Sequence, residues 1–337
     1  MTHQPAISFS NSFHFPFNRA GGRSSNVMQR MNRLYIIGNG FDIYHRIPSS
    51  FSAFRSFVEA RGGAVWEACE NFLPANVLWS DLEAALGTID TDYLLEDHQQ
   101  LLVPYGADDW SDASHHDYEW AINETTQALS SGLLGLFTEW VSNLSIPFRG
   151  EVDELLEIEK NSKFISFNYT ETLMKVYGVD RKSIFFPHGF IDDEPNNLIL
   201  GHAWVPEKRM ADDANEDTDT RLAGALNNLD SYFKSTFKPS SDIISGNSEY
   251  FNSLSDVDEV FVLGHSLADV DHPYFSKIIS SITPHAFWVV CYFVDPEPIR
   301  KELAKLGVCR ESYRLVTLSE LQNKHHGRWP VLLTKSS

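Results

Sequence analysis

The segment Leu34-Tyr35-Ile36-Ile37 is apolar at every position and stops at Gly38-Asn39-Gly40. Such a run reads as a strand buried on both faces that feeds a tight turn. Similar runs follow at Phe164-Ile165-Ser166-Phe167, Ile184-Phe185-Phe186, Val260-Phe261-Val262-Leu263, Phe287–Val294 and Arg314-Leu315-Val316-Thr317, with a weaker one at Asn197–Leu200. Segments of helical spacing lie between them. Short apolar strands separated by helices predict an α/β fold: a doubly wound, mostly parallel, Rossmann-like sheet with both faces covered.

The helices carry their own punctuation. Phe51, Phe54, Phe57 and Val58 recur at helical spacing between a Ser50 N-cap and a Gly62 stop, which predicts a helix over Phe51–Arg61. From about residue 66 to 160 the pattern is mostly helical, with a long amphipathic piece at Tyr118–Leu144 and an exposed acidic loop around Asp108–Asp112. This block reads as a helical insertion after the first βα unit. Leu222–Phe237 and Pro296–Leu306 are two further helices, and Met210–Thr220 is an acidic loop. The expected organisation is a single α/β domain over 31–337. Met1–Arg30, which has three arginines and no acidic residue, reads as a disordered extension upstream of a second start at Met31, with an organellar leader as the alternative.

Charge narrows the class of partner. With 27 Lys+Arg against 46 Asp+Glu, the formal net charge is −19. A surface that acidic repels phosphate backbones and anionic membranes, so non-specific nucleic acid and membrane surfaces are not expected partners. No apolar run approaches the roughly 18 residues that span a bilayer. The three cysteines, Cys69, Cys291 and Cys309, form no C-x-x-C, and a cytoplasmic, reducing setting with free thiols is the economical expectation.

Four motifs fall just after strands, at the carboxyl edge where open α/β sheets bind ligands. Gly38-Asn39-Gly40-Phe41-Asp42 opens a helix and suits close backbone approach to a ligand, although Ile43 stands where a third fingerprint glycine belongs. Asn168 follows the second strand and suits a ribose hydroxyl or a water, or else caps a turn. His188 leaves the third strand ahead of Gly189, where a general base would sit; a lone histidine is also a common structural residue. Gly264-His265-Ser266-Leu267-Ala268-Asp269-Val270-Asp271 follows a buried strand.

Taken in order, Ile36–Asp42, Phe167-Asn168-Tyr169-Thr170-Glu171-Thr172-Leu173, His188-Gly189 and Leu263–Asp271 resemble the AbiH family of bacterial abortive-infection proteins. Trp79 with Glu83 resembles a short element of that family. A more distant likeness links the same order of motifs to sirtuin-like NAD hydrolases of phage defence. What these resemblances imply is a phage-defence effector with a nucleotide pocket that hydrolyses NAD or a related nucleotide. By position, Asn168 and His188 match the catalytic pair and Gly38, Asn39 and Gly40 the phosphate and ribose turn, with Phe41 and Asp42 added to the expected binding set. Gly264, His265, Ser266, Asp269 and Asp271 complete the expected binding set, with Ser266 and Asp269 on the adenosine side. Asn39 and Asp42 replace that group's small residue and serine, and Thr170 replaces an aspartate. No tightly bound cofactor and no metal are expected. A second copy of the chain or a defence partner is compatible with this reading.

Three alternatives stand beside it. One is a non-catalytic nucleotide sensor that leaves killing to a partner. A second is a serine hydrolase written as Ser266, Asp295 and His325, with Ala268 in place of the last glycine of the nucleophile elbow. The third is a metal centre at His265, Asp269, Asp271 and His272, which lie close together but without a defined ligand spacing.

Overall fold

The computed structural model describes residues 32–323, apart from 109, 113, 154, 194–197 and 207–217. Met1–Arg30 and His325 lie outside the described residues, as does most of the acidic loop at Met210–Thr220. Six strands build one sheet: β1 (Arg33–Ile37), β2 (Lys163–Ser166), β3 (Ile184–Phe185), β4 (Glu259–Leu263), β5 (Phe287–Cys291) and β6 (Tyr313–Val316). Their order is β3-β2-β1-β4-β5-β6 and every neighbouring pair is parallel. This is the expected doubly wound α/β sheet. The order reverses between β1 and β4, which is where such sheets open a crevice.

Alternation along the strands sends side chains to two cores. Leu34, Ile36, Val260, Val262, Trp288 and Val290 pack with Phe251, Phe275, Ile278, Ile299 and Leu303 from helices on one face. Tyr35, Ile37, Phe261, Leu263, Val289 and Cys291 pack with Phe41, Leu173 and Val176 on the other. Tyr35 is stacked between Phe164 and Phe261, its register partners on β2 and β4, at 5.2 and 5.1 Å between ring centroids. Three aromatic rings thus bind the central strands together across one face.

The helical block has a core of its own. The helix Phe51–Arg61 forms as its sequence predicts, with the Ser50 side chain accepting from the Ala53 N–H and Gly62 ending it at a φ of 60°. A long helix, Asp117–Gln127 continuing into Leu133–Ser142 through one wide π turn at Ala128–Gly132, buries Ile122, Leu129, Leu133, Phe137 and Trp140. The block is broader than an insertion from about 66 to 160. Phe54 and Val58 belong to the same core, and so do Ala225, Leu226, Leu229, Tyr232 and Phe233 of the helix Thr220–Ser235, which lies between β3 and β4. The β1–β2 and β3–β4 crossovers therefore both contribute to one helical layer.

Asn197–Leu200 is not a strand of the sheet. Asn197 lies outside the described residues; Leu198 and Leu200 are buried in the helical core instead. The Ile199 N–H donates to the His188 carbonyl, and its own carbonyl accepts from the Tyr169 hydroxyl. Alternating apolar residues fit this strap as well as they fit a strand, because both are extended chain with one buried face. No helix among the described residues is long and apolar enough to cross a membrane.

At the switch point the turns after β1 and β4 touch backbone to backbone. The Gly38 N–H donates to the Leu263 carbonyl at 3.0 Å, and the Gly40 N–H to the Gly264 carbonyl at 2.8 Å. A Cβ on Gly264, which has a φ of 69°, would lie 2.1 Å from the Phe41 nitrogen. Gly307 has a similar φ of 76° but open space around it. Gly307→Ala is therefore expected to cost about 1 kcal/mol of stability, the backbone penalty alone. Gly264→Ala adds a clash with rigid backbone and should cost about 3 kcal/mol or more. Denaturant unfolding of both variants measures the difference, and equal losses would contradict this account of the contact.

Candidate functional site

A cavity of about 650 Å³ opens over this contact, between the carboxyl edge of the sheet and the helical layer. Gly38, Asn39, Gly40 and Asp42 line it from the first turn, Asn168 from the end of β2, His188 from the end of β3, and Gly264, His265, Ser266 and Asp271 from the segment after β4. The helical layer supplies the opposite wall, including Glu83, Phe137, Trp140 and Val141. Motifs up to 233 residues apart in sequence, from Gly38 to Asp271, share one volume.

Two of the expected site residues are elsewhere. Phe41 is fully buried, packed on His45 and Tyr177, and serves the sheet core. Asp269 is exposed and pairs with Lys305 at 3.2 Å, with His272 and Glu302 as neighbours, so it does not line an adenosine pocket. The short 3-10 turn Asp269–Asp271 explains the split, since residues two apart in it point in different directions. It also divides the metal reading: His265 and Asp271 face the cavity, while Asp269 and His272 stand with Glu302 and Lys305 outside it.

Three amides of the first turn are already committed. Gly38 and Gly40 spend theirs on β4 and the turn after it, and the Phe41 N–H donates to the Gly38 carbonyl. Its glycines allow the close approach of the second turn. Ser49 donates to the Asn39 side-chain oxygen at 2.5 Å, which holds that residue at the cavity wall.

Asp42 and Asn168 form the unsaturated part of the site. Asp42 is 1% exposed; Thr170 Oγ1 donates to its Oδ2 at 2.6 Å, and its Oδ1 has no hydrogen-bond partner. Burial pushes the carboxyl up to about 6, against the opposing pull of Thr170, Thr172 and Asn168. Asn168 is 6% exposed; its amide is near enough to Asp42 to favour the carboxylate, but neither its side-chain oxygen nor its nitrogen makes an aligned hydrogen bond. Unpaired buried polar atoms cost about 1–3 kcal/mol each, so such a concentration marks a site kept ready for something else.

The remaining polar residues form a charged cluster. His188 Nε2 lies 3.2 Å from Asp271 Oδ1, an ion-pair distance without hydrogen-bond alignment, and His265 Nε2 lies 3.3 Å from Asp271 Oδ2. The Leu267 N–H donates to His265 Nδ1 at 2.9 Å, which leaves the proton of a neutral ring on Nε2, facing the carboxylate. Phe167 sits edge-on to both imidazoles and sets them around its ring. Burial, and then the Lys238 ammonium, push the His188 imidazole below its usual value, while Asp271 pulls the other way. Burial alone would raise the Asp271 carboxyl; Lys238, His188 and His265 overcome it and hold the group well below the usual carboxylate range.

A family model described as bacteriophage abortive infection AbiH matches residues 34–292, which takes in the sheet from β1 to β5, the helical layer and every cavity motif. The chain belongs to the AbiH family. Its role is accordingly that of a phage abortive-infection protein. No curated protein matches the chain.

This AbiH protein has a further site residue that its sequence does not advertise. Lys238 has a fully buried side chain, with Nζ 2.5 Å from Glu83 Oε1, 3.5 Å from both ring nitrogens of His188 and 4.0 Å from Asp271 Oδ1. It stands behind three cavity-lining side chains that come from three separate segments. A lysine between Phe237 and Pro239 carries no motif, and only the fold shows its partners. Glu83, singled out with Trp79 by resemblance, is explained by this contact.

The hydrolase alternative finds little support in the geometry. Ser266 lines the cavity but lacks the positive φ of a strained elbow, which falls on Gly264 and Leu267 instead. Asp295 is exposed and accepts from the Glu297 N–H at 3.0 Å, at the start of its own helix.

Two stability predictions follow from the buried charges. Lys238→Met strands Glu83 and Asp271 and should cost about 3–5 kcal/mol, part of which Lys238→Met/Glu83→Gln restores. Unfolding in denaturant measures both; a neutral single variant would contradict the charge assignment. Asp42 has the opposite sign. Its folded carboxyl binds a proton more readily than the unfolded one, whose value is 3.8, so its contribution to stability falls as pH rises from about 4 to 6. Asp42→Asn should therefore stabilise the protein by about 1–3 kcal/mol at pH 7.5, and by nothing below about pH 4. Thermal midpoints of the two proteins across that range test it.

Proposed function

We propose that the cavity is a nucleotide glycohydrolase site, cleaving the nicotinamide–ribose bond of NAD or a close relative, and that this chemistry is the effector step of abortive infection. The observation that supports this reading is the meeting of the unpaired Asn168 amide and Asp42 oxygen with the His188–Asp271 pair in one cavity at the switch point. A cavity of about 650 Å³ is within the range of roughly 300–1,000 Å³ in which small-molecule sites fall.

In this reaction the bond between the ribose C1′ and the pyridinium nitrogen breaks. Its electron pair leaves with nicotinamide as a neutral molecule. Water adds its oxygen to C1′ and gives up one proton to the His188 imidazole, which returns it to solvent. The transition state carries positive charge on the ribose, so nearby carboxylates lower its energy and a strong general acid is not needed. Asp42 and Asp271 supply that negative charge. Asn168 holds the ribose or the attacking water by its free amide. His188, kept neutral by burial and Lys238, accepts a hydrogen bond from a ribose hydroxyl or from the water.

This assignment ranks the variants. Asn168→Ala and His188→Ala should each lower NAD cleavage by about 10²–10⁴. Ser266→Ala at the mouth should weaken binding alone. Nicotinamide release by the purified proteins, together with cellular NAD during infection, measures these effects. A His188→Ala protein that consumes NAD at the wild-type rate would overturn the catalytic role. NAD left intact in cells undergoing abortive infection would move the protein to the sensing class. Labelling of Ser266 by a fluorophosphonate, with loss of activity, would move it to the serine hydrolases.

A further inference from the structure

The distribution of charge within the cavity bears on which part of a nucleotide enters it. Three carboxyl side chains line the wall, Asp42, Glu83 and Asp271, and no lysine or arginine lines it among the described residues. The nearby cation, Lys238, stands behind the wall against Glu83. Three of the backbone amides that a glycine turn ordinarily offers to phosphate are taken, those of Gly38 and Gly40 by the β4 side and that of Phe41 by Gly38, which leaves the turn a reduced anion site. A phosphate oxygen about 4 Å from one of these carboxylates would be opposed by about 4 kcal/mol even at an effective dielectric of about 20. The unpaired atoms point to a different ligand. Asp42 Oδ1 and Asn168 Oδ1 accept hydrogen bonds and Asn168 Nδ2 donates one, a set that suits the two hydroxyls of a ribose.

We infer that the cavity takes the nucleoside end of its ligand, a neutral or cationic N-glycoside whose ribose diol is held by Asp42 and Asn168, and leaves the phosphates outside. This rests on the glycoside reading above. It departs from the expectation that the Gly38–Phe41 turn cradles pyrophosphate, and it makes the phosphate dispensable. Ser266, exposed at the mouth, then faces the phosphate side rather than an adenosine pocket.

The experiment compares nicotinamide riboside, its 5′-phosphate and NAD with the full-length protein at pH 7.5, by nicotinamide release and by calorimetric binding. Nicotinamide riboside should be cleaved with a kcat/KM within about tenfold of that for NAD, because the phosphates add little binding. Asp42→Asn, which keeps the shape but removes the charge, should weaken riboside binding about tenfold or more while its thermal midpoint stays level or rises. Cleavage of NAD with the riboside more than tenfold poorer would overturn the inference and leave the glycohydrolase reading intact. If no compound is cleaved but the riboside binds and Asp42→Asn or Asn168→Ala abolishes that binding, the glycohydrolase reading falls and the inference stands. A riboside that neither binds nor reacts overturns the inference.

Discussion

The two central strands of the sheet stay paired to their carboxyl ends, and a contact between two backbones continues the pairing into the turns that follow. Gly38 and Gly40 donate to carbonyls of Leu263 and Gly264, at a separation that excludes any side chain from Gly264. The consequences reach outward from there. Asp42 lies one helical turn beyond Gly38, and His265 is the residue after Gly264, so the contact sets the spacing between the two halves of the cavity floor. The same hydrogen bonds consume amides that an open glycine turn would present to an anion. Rigidity at the switch point is thus gained by committing three amides of the first turn, and side chains supply most of the polar atoms at the cavity wall.

Those side chains are held by a second device, a buried ammonium. Lys238 faces Glu83 of the helical layer on one side and His188 and Asp271 of the sheet edge on the other. A buried ion pair is a poor source of net stability, because desolvation offsets most of the attraction. Its effect here is positional. The helical layer completes the cavity wall with Phe137, Trp140 and Val141, and the Lys238–Glu83 contact registers that layer against the carboxyl edge of the sheet. The Ile199 strap adds a neutral counterpart, bonded to the His188 carbonyl and to the Tyr169 hydroxyl. Asp42 and Asn168, by contrast, are left with unpaired atoms. The site is therefore rigid on its His188–Asp271 side and unsatisfied on its Asp42–Asn168 side, the division expected where a ligand completes the hydrogen bonding.

Much of this was legible in the chain because the signals are local. Apolar runs such as Leu34–Ile37 and Val260–Leu263 are strands since burial on both faces demands them, and Ser50 and Gly62 bound a helix through their own backbone chemistry. Strand ends in an open α/β sheet all fall on one edge, which is why Asn168, His188 and His265 meet in one cavity. The misreadings have equally physical causes. Leu198 and Leu200 alternate as a strand would, but their buried face meets helices. Asp269 and Asp271 look equivalent in sequence, and a 3-10 turn sends one outward and one inward.

The sequence by itself determined the class of fold, the polarity of the sheet and the edge on which the motifs gather, since periodicity and turn chemistry act over a few residues. Only the tertiary structure decided how the motif atoms are spent. The amides of Gly38 and Gly40 look free until β4 arrives beside β1, and Phe41 looks like a turn residue until the sheet core closes over it. Lys238 looks like a surface lysine until the helix Thr220–Ser235 joins the layer that carries Glu83. Each of these outcomes depends on groups that are distant in the chain and adjacent only once both crossovers have packed, and no local pattern encodes that adjacency.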